Sequence, residues 1–421
     1  MKESIDLVIA GGGPAGLMAA IQAAETGLRV HIVEKNHQPG KKLLASGGGQ
    51  CNVTHNQSVK AMGDAFHNRR NVAAKIIGRF PPASLMDWFT QRGVPLETRE
   101  DGKVFPASRK ASDVLKALVK AAKEAGADIV CDQAVIAVQQ RVEGFRVTTT
   151  GGWVESRCLI IATGGASYPS LGTTGDGYQL AETLGHRVIP PRPALTGVVT
   201  KEKDLGDLAG VSLQMVSVSH WREGRKLGQW QGDLLFTHDG VSGPAVLNYA
   251  RELEPGDQLM LNLAVPLTEE TFAREVLNRV EAGSKKQVKA VLPTDGIPRR
   301  LVELALQRSK IQETQLCANL TKEQRKKLVH HVTALPLTVE RVKGFQEAMV
   351  TAGGVAVEEV VTATLESRLI PRLFFAGEVL DVDGMTGGYN LQFAFSSGWV
   401  AGKGAANGFD RKKKGCAGGM V

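Results

Sequence analysis

Cysteine is the first scarcity. The five present, Cys51, Cys131, Cys158, Cys317 and Cys416, are an odd number, and no two form a CxxC pair. A disulfide framework and a cysteine zinc site are therefore not expected, and a reducing cytoplasm fits. No apolar run is long enough to cross a bilayer. The N-terminal IDLVIAGGG is too short for a secretion signal, lacks a cleavage site and reads as a strand. The terminal CAGGMV is no prenylation box, because Cys416 lies too far from the end. There is also no internal repeat, no long low-complexity tract and no second GxGxxG. Neither a membrane partner nor a metal is expected.

What is present is ordinary in bulk and uneven in detail. The 421 residues, 43% hydrophobic and 22% charged, are enough for about two to three domains with a large core. The net charge of +8 is concentrated. Between Ser284 and Lys327 there are 11 Lys and Arg against 4 Asp and Glu, and RKKK at 411–414 adds four more cations. A basic excess confined to one segment is a footprint for a polyanion, or else a solvated helical face.

The order of elements begins as βαβ. A strand (5–10) runs into a glycine turn, then a small-residue helix (14–26) that Gly27 stops, then a strand (29–33) ending in Glu34. Residues 84–126 read as helical, with Ser84 and Ser112 as caps. Residues 128–161 read as short strands. From PPRP at 190 the pieces turn strand-like, and from 268 they turn helical, with a capping box at Thr321 and Gln324. After about 346, α/β character resumes.

Gly11-Gly12-Gly13-Pro14-Ala15-Gly16 contains GxGxxG, and strand, helix and Glu34 stand where a dinucleotide fingerprint needs them. Gly11 makes the turn, Gly13 admits a pyrophosphate, and Gly16 lets helix and strand pack closely. The helix N-terminus offers unpaired N–H groups to the phosphates. Glu34 would accept from ribose hydroxyls and disfavour a 2′-phosphate, so the resident nucleotide is not NADP. Two later stretches select FAD. LIIATGGASYP ends a strand in Thr163-Gly164-Gly165, and LFFAGEVLDVDGMTGGYN ends another in Gly377-Glu378 before Gly388, Tyr389 and Asn390 open a helix. Glu378 suits a ribityl chain, and the helix start suits the flavin O2. With no second nucleotide fingerprint, a pyridine nucleotide (NAD(P)H) visits the flavin transiently or another donor reduces it; both stay open.

PGKKLLASGGGQCN, ATGGASYPSLGTTGDGY, LLFTHDGVSGPAVL, TAGGV, TLESR and FAGEVLDVDGMTGGYNLQFAFSSG occur in this order along nearly the whole chain. In these motifs the chain resembles a flavoprotein branch of the glutathione-reductase-like FAD proteins. That branch has been linked to bile-acid Δ4,6-reduction, aminoacetone oxidation and, in bacteria, reduction of uridine to dihydrouridine in 23S ribosomal RNA. The resemblance implies an α/β fold: a discontinuous Rossmann-like FAD domain (1–193 and 347–410) interrupted by a β-barrel-like domain (194–267 and 336–346). That domain would itself carry a basic helical insert (268–335), and a basic flexible tail (411–421) would follow. The cofactor set expected is Gly11, Gly13, Pro14, Ala15, Gly16, Glu34, Lys35, Lys42, Gly47, Gly48, Gly49, Val135, Thr163, Gly164, Gly377, Glu378, Gly388, Asn390 and Leu391.

One position departs from the branch. Its glycine loop usually reads GGGRCN, whereas Gln50 stands here in place of the arginine. Lys41 or Lys42 is the expected compensation for the lost cation. Gly47 to Gly49 would let the backbone lie against the flavin, with Cys51 at its edge either as proton donor to a substrate carbon or as a small packing residue. His238 and Tyr389 are the other catalytic candidates, and His238 could equally fix its own loop.

Three functions compete at this point. The first is a reductase moving hydride from reduced FAD to an activated C=C bond, with a uridine of 23S rRNA as substrate. Lys285, Lys286, Arg299, Arg300, Arg325, Lys326 and Lys327 would then meet phosphates, and Trp221 and Trp230 would offer a stacking platform. The second is a small-molecule amine oxidase or enone reductase. The third is a non-catalytic flavin-bound assembly factor docked on RNA. No DNA partner is expected.

Overall fold

A computed structural model describes residues 5–292 and 296–416, with side chains as far as residue 408. The chain divides into two compact units, Met1–Ala194 with Phe345–Val421, and Leu195–Gly344.

The first unit is built on a seven-stranded sheet. Ile5–Ala10 lies at its centre, parallel to Val30–Val33 on one side and to Gly152–Ile161 on the other. Asp128–Val130 extends the parallel set beyond Val30–Val33. Gly144–Thr149 and Val135–Arg141 add an antiparallel flank, and Leu373–Phe375 returns from far along the chain to pair with Leu159–Ile161. From Leu7 to Ala10 the central strand is buried on both faces, so this stretch reads as an unbroken apolar run rather than an alternation. The helix Pro14–Ala24 is almost wholly buried, which explains its small-residue composition. The C-terminal helix, Tyr389–Cys416, packs along it, and Cβ atoms at Gly398 and Gly402 would meet the Ala15 and Ala19 carbonyl oxygens at 2.2 and 2.4 Å.

A smaller sheet orders Thr54–His55, Lys103–Pro106 and Leu96–Thr98. Its hairpin interrupts the segment expected to be mostly helical, leaving helices Pro82–Gln91 and Ala111–Glu124 on either side. Their caps are Pro81 and Lys110, not Ser84 and Ser112, which fall inside the first turns. At Pro82 the pyrrolidine ring presets helical φ and needs no cap side chain.

The second unit holds a closed six-stranded barrel of Val198–Thr200, Gly240–Ser242, Arg225–Thr237, Ser212–Arg222, Gln258–Asn262 and Leu335–Val342. Between the last two strands run the helices Glu269–Ala282, Val288–Val291, Arg299–Arg308 and Lys322–Thr333. The Thr321–Gln324 capping box forms as the sequence indicates. These helices share one hydrophobic core with the barrel. The tail expected to be flexible from residue 411 is helical through Cys416, and its remainder, 417–421, lies outside the described residues.

Candidate functional site

The glycine turn leaving Ile5–Ala10 shows what each glycine is for. At Gly16 a Cβ would sit 2.0 Å from the Gly11 carbonyl oxygen, and at Gly11, with φ +104°, it would sit 2.5 Å from the Ala162 oxygen. Those two glycines are required by the protein's own packing. Gly13 is different: a Cβ there would meet nothing within 4 Å, and its φ of −77° suits any residue. The space in front of Gly13, beside Pro14 and Ala15 at the helix start, is a cradle that no protein atom fills. The Glu34 carboxylate is buried and closes the turn from behind, accepting from the Gly12 N–H at 2.8 Å and from both nitrogens of Asn36. Two occupied oxygens still leave lone pairs for a ribose hydroxyl.

Four separated segments meet at the second half of the site. Lys42 Nζ donates to Glu378 Oε2 at 2.9 Å and to Ser167 Oγ at 2.7 Å. Ser167 Oγ donates to Glu378 Oε1, as does the Thr351 N–H at 2.9 Å. Neighbouring Thr163 has a buried hydroxyl with no partner. Gly164 and Gly377 both take left-handed φ at the two strand ends that converge here. Lys35 turns elsewhere, bonding Thr174 and Asp176, and Val135 is buried at the start of its own strand.

The third part is the loop Ser46–Gly49. Gly47 and Gly48 hold φ of +56° and +64°, and a Cβ on Gly48 would again meet nothing within 4 Å. Gly49 also lies in the left-handed region. Across from it, Gly388 with φ +94° lets the start of the C-terminal helix press against Thr54, where a Cβ would lie 2.6 Å from the Thr54 carbonyl. Gln392 locks this junction by accepting from Thr54 Oγ1 and donating to the Phe80 carbonyl. Asn390 spends its side chain stapling residues 384 and 385, so only its backbone remains for a ligand; Leu391 is half-buried. Tyr389 stacks on His55, with ring centroids 5.3 Å apart, and burial raises its phenol above the usual tyrosine range. Burial likewise lowers the His55 imidazole, and the buried Asn52 Oδ1 lacks a partner beside Gly388.

Cys51 is not at an accessible edge. It has no exposed surface, and burial pushes its thiol up to about 12. A positive φ of 61° turns the side chain inward from the glycine loop into the core. This is the packing arrangement, and it corrects the proton-donor expectation. His238 is exposed in the turn between two barrel strands of the second unit. In the same unit Trp230 stacks on Tyr249 at 3.8 Å and donates its N–H to the Ala245 carbonyl, so the ring is committed to packing and offers no free platform. Lys285, Lys286, Arg299, Arg300, Lys326 and Lys327 are exposed and Arg325 is half-buried. Arg299 and Lys327 pair with Glu303 and Glu323, whereas Lys285, Lys286, Arg325 and Lys326 have no acidic partner among the described residues.

The residues sequence reasoning missed are Ser167, Thr351, Thr54, His55 and Gln392. All but His55 serve to hold one motif against another, and no single motif displays that. The fit to FAD rests on the open backbone at Gly13 and Gly48, the orphaned polar atoms of Thr163 and Asn52, and the Lys42–Glu378 amine–carboxylate pair. Among the described residues no cluster could hold a metal, and no helix is long and apolar enough to cross a membrane.

The comparisons with known proteins agree with this geometry. The family described as HI0933-like protein Rossmann domain matches residues 5–404. A ribosomal RNA dihydrouridine synthase of Escherichia coli (strain K12) is 33% identical over 405 residues, covering 94% of this chain and 97% of that protein. A 3-dehydro-bile acid delta(4,6)-reductase of Clostridium scindens is 32% identical over 406 residues, covering 94% and 98%. In fold, the crystal structure of 3-ketosteroid delta1-dehydrogenase from Sterolibacterium denitrificans superposes with a TM-score of 0.51 at 13% identity, covering 96% of this chain and all of that one. The chain belongs to the HI0933-like Rossmann family and is an FAD-dependent oxidoreductase.

Proposed function

We propose that the protein reduces a carbon–carbon double bond conjugated to a carbonyl, and that its substrate is a uridine of ribosomal RNA, converted to dihydrouridine. The two relatives described above carry different names, and both names describe reduction of a carbon–carbon double bond. Saturating C5=C6 of uracil and saturating an unsaturated oxosteroid both add hydride to the carbon remote from the carbonyl and a proton to the adjacent one. FAD, when bound, supplies the hydride. The chain must then bind the ring, hold it flat and deliver the proton. Tyr389, whose neutral phenol stands at the start of the C-terminal helix, is the donor we assign; Cys51 is sealed away, and His238 lies exposed in a turn of the second unit. NAD(P)H is the proposed source of electrons, visiting transiently.

The observation that carries the RNA assignment is the set of exposed insert cations without acidic partners, Lys285, Lys286 and Lys326, backed by half-buried Arg325. Cations that only solvated a helix face would be interleaved with acids, as Arg299 and Lys327 are. Unneutralised cations instead supply the salt-dependent attraction on which RNA binding runs. The competing reading, a free small-molecule enone, is favoured by the bile-acid relative at nearly equal identity. Dihydrouridine in rRNA from a deletion strain tests the proposal: loss at one position, restored by the wild-type gene, is expected, and an unchanged level overturns it.

A further inference from the structure

Position 50 of the glycine loop is Gln50, where the resembled branch usually carries arginine, and neither lysine expected to compensate is free to do so. Lys42 Nζ is spent on Glu378 and Ser167. Lys41 Nζ donates to the Ser170 carbonyl. The cation arrives from a different element. Arg99 opens the tight turn between Leu96–Thr98 and Lys103–Pro106, where its N–H donates to the Lys103 carbonyl and its own carbonyl accepts from Gly102. From there its guanidinium lies over the Phe105 ring, 4.0 Å from the centroid, and donates to Gln50 Oε1 at 3.1 Å. Phe105 in turn lies beside the loop, its Cε1 3.7 Å from where a Gly47 Cβ would be.

The residue at position 50 is therefore a holder. A glutamine carbonyl fixes the guanidinium by hydrogen bonding without neutralising it, and the aromatic face supports the planar fork from below. Of the nearby acids, Asp101 pairs with Lys103 and Glu97 with Arg109, and the exposed Glu100 makes no ion pair with Arg99. Arg99 has no carboxylate partner among the described residues, and its side chain is exposed beside the open backbone of Gly47 and Gly48. A second guanidinium, that of Arg109, lies 5.2 Å from the same ring centroid and keeps a buried NH1 without a partner. A pre-positioned, uncompensated guanidinium with free N–H donors is a receptor for an oxyanion, and its fork geometry matches phosphate.

We propose that Gln50 and Arg99 together form a relocated anion subsite of the glycine loop, and that it receives a phosphodiester next to the nucleotide being reduced. This rests on the RNA reading above. The test is binding of an in vitro 23S rRNA fragment to the FAD-loaded, oxidised enzyme over a range of salt concentrations. It compares wild type, Arg99→Gln, and the double variant Arg99→Gln with Gln50→Arg, and follows flavin content and thermal unfolding alongside. Arg99→Gln is expected to weaken binding about tenfold at low salt and to reduce the salt slope by about 0.7, the share of one phosphate contact on a single strand. Returning the cation to position 50 should recover most of that loss, with flavin content and melting unchanged throughout.

The outcomes separate cleanly. If wild type does not bind the RNA, the RNA reading falls and takes this proposal with it. If wild type binds and Arg99→Gln binds equally well with the same slope, only the subsite is overturned. A fall in flavin content in Arg99→Gln also overturns it, because the cation would then serve the cofactor. Failure of the double variant to recover shows that positions 50 and 99 do not address the same anion, and removes the proposal as well.

Discussion

Lys42 and Glu378, separated by 336 positions, form a 2.9 Å ion pair with Ser167 and the Thr351 N–H completing the carboxylate's partners. The pair joins the segment before the glycine loop to the strand end that returns from the C-terminal part of the chain. Both side chains keep about a quarter or less of their surface, so the pair is held in place yet remains reachable by a ligand hydroxyl.

Glu378→Gln tests this junction. It keeps the shape but leaves the Lys42 amine without a countercharge, so stability should fall by about 1–3 kcal/mol. Flavin content after purification should fall with it, read as flavin absorbance per protein. Full flavin retention with unchanged melting would show the pair to be incidental.

Gly13 and Gly16 should separate ligand space from packing space. Gly16→Ala places a methyl 2.0 Å from a carbonyl oxygen and should destabilise the fold by about 1–3 kcal/mol. Gly13→Ala meets no protein atom, so stripped of flavin it should melt like the wild type, within about 0.5 kcal/mol. It should nevertheless fail to take up FAD in a titration. Normal uptake by Gly13→Ala would place the pyrophosphate elsewhere.

The Cys51 thiol gives a pH dependence with a definite sign. Its folded value of about 12 lies above the ordinary 9.0, so the neutral buried thiol is favoured in the folded state. That contribution is intact below pH 9.0 and is lost as pH rises from there toward about 12. In the folded protein at pH 8 the residue should resist iodoacetamide, while unfolding in urea exposes it. Cys51→Ala should retain turnover within about threefold, as expected for a residue outside the proton path. A loss of a hundredfold or more would return the thiol to the chemistry.

Neutralising the insert should affect RNA and nothing else. The triple change of Lys285, Lys286 and Lys326 to Ala should lower the salt slope of RNA binding by about 2, at about 0.7 per contact. The rate of flavin reduction by NADPH or NADH should be unchanged. If RNA binding is unaffected, the cations are a solvated face.

Much of this site was readable in short stretches. A turn, a helix start and an acid at the next strand end are local events, so GxGxxG and Glu34 could be placed without knowing the rest. The strand-like pieces from 190 and the helices from 268 were legible for a similar reason, since strand patterning and capping boxes depend on neighbours in sequence, whereas a barrel was only what the family resemblance implied. The hairpin Leu96–Pro106 was not legible, because its strands are three and four residues long and one of them, Lys103–Pro106, finds its outer partner in the distant Thr54–His55. Trp230 could not be judged from the chain either, since its ring is occupied by Tyr249, nineteen positions away.

By itself the sequence determined the cofactor class and the motifs that would surround it, because backbone conformations of glycine turns and helix starts follow from a few adjacent residues. Only the tertiary structure decided which charges were already spent. It paired Lys42 with Glu378, sealed Cys51 in the core, and brought Arg99 to the loop that lacks its own cation. Burial and ion pairing are contacts between segments far apart in the chain, and local chemistry carries no record of them.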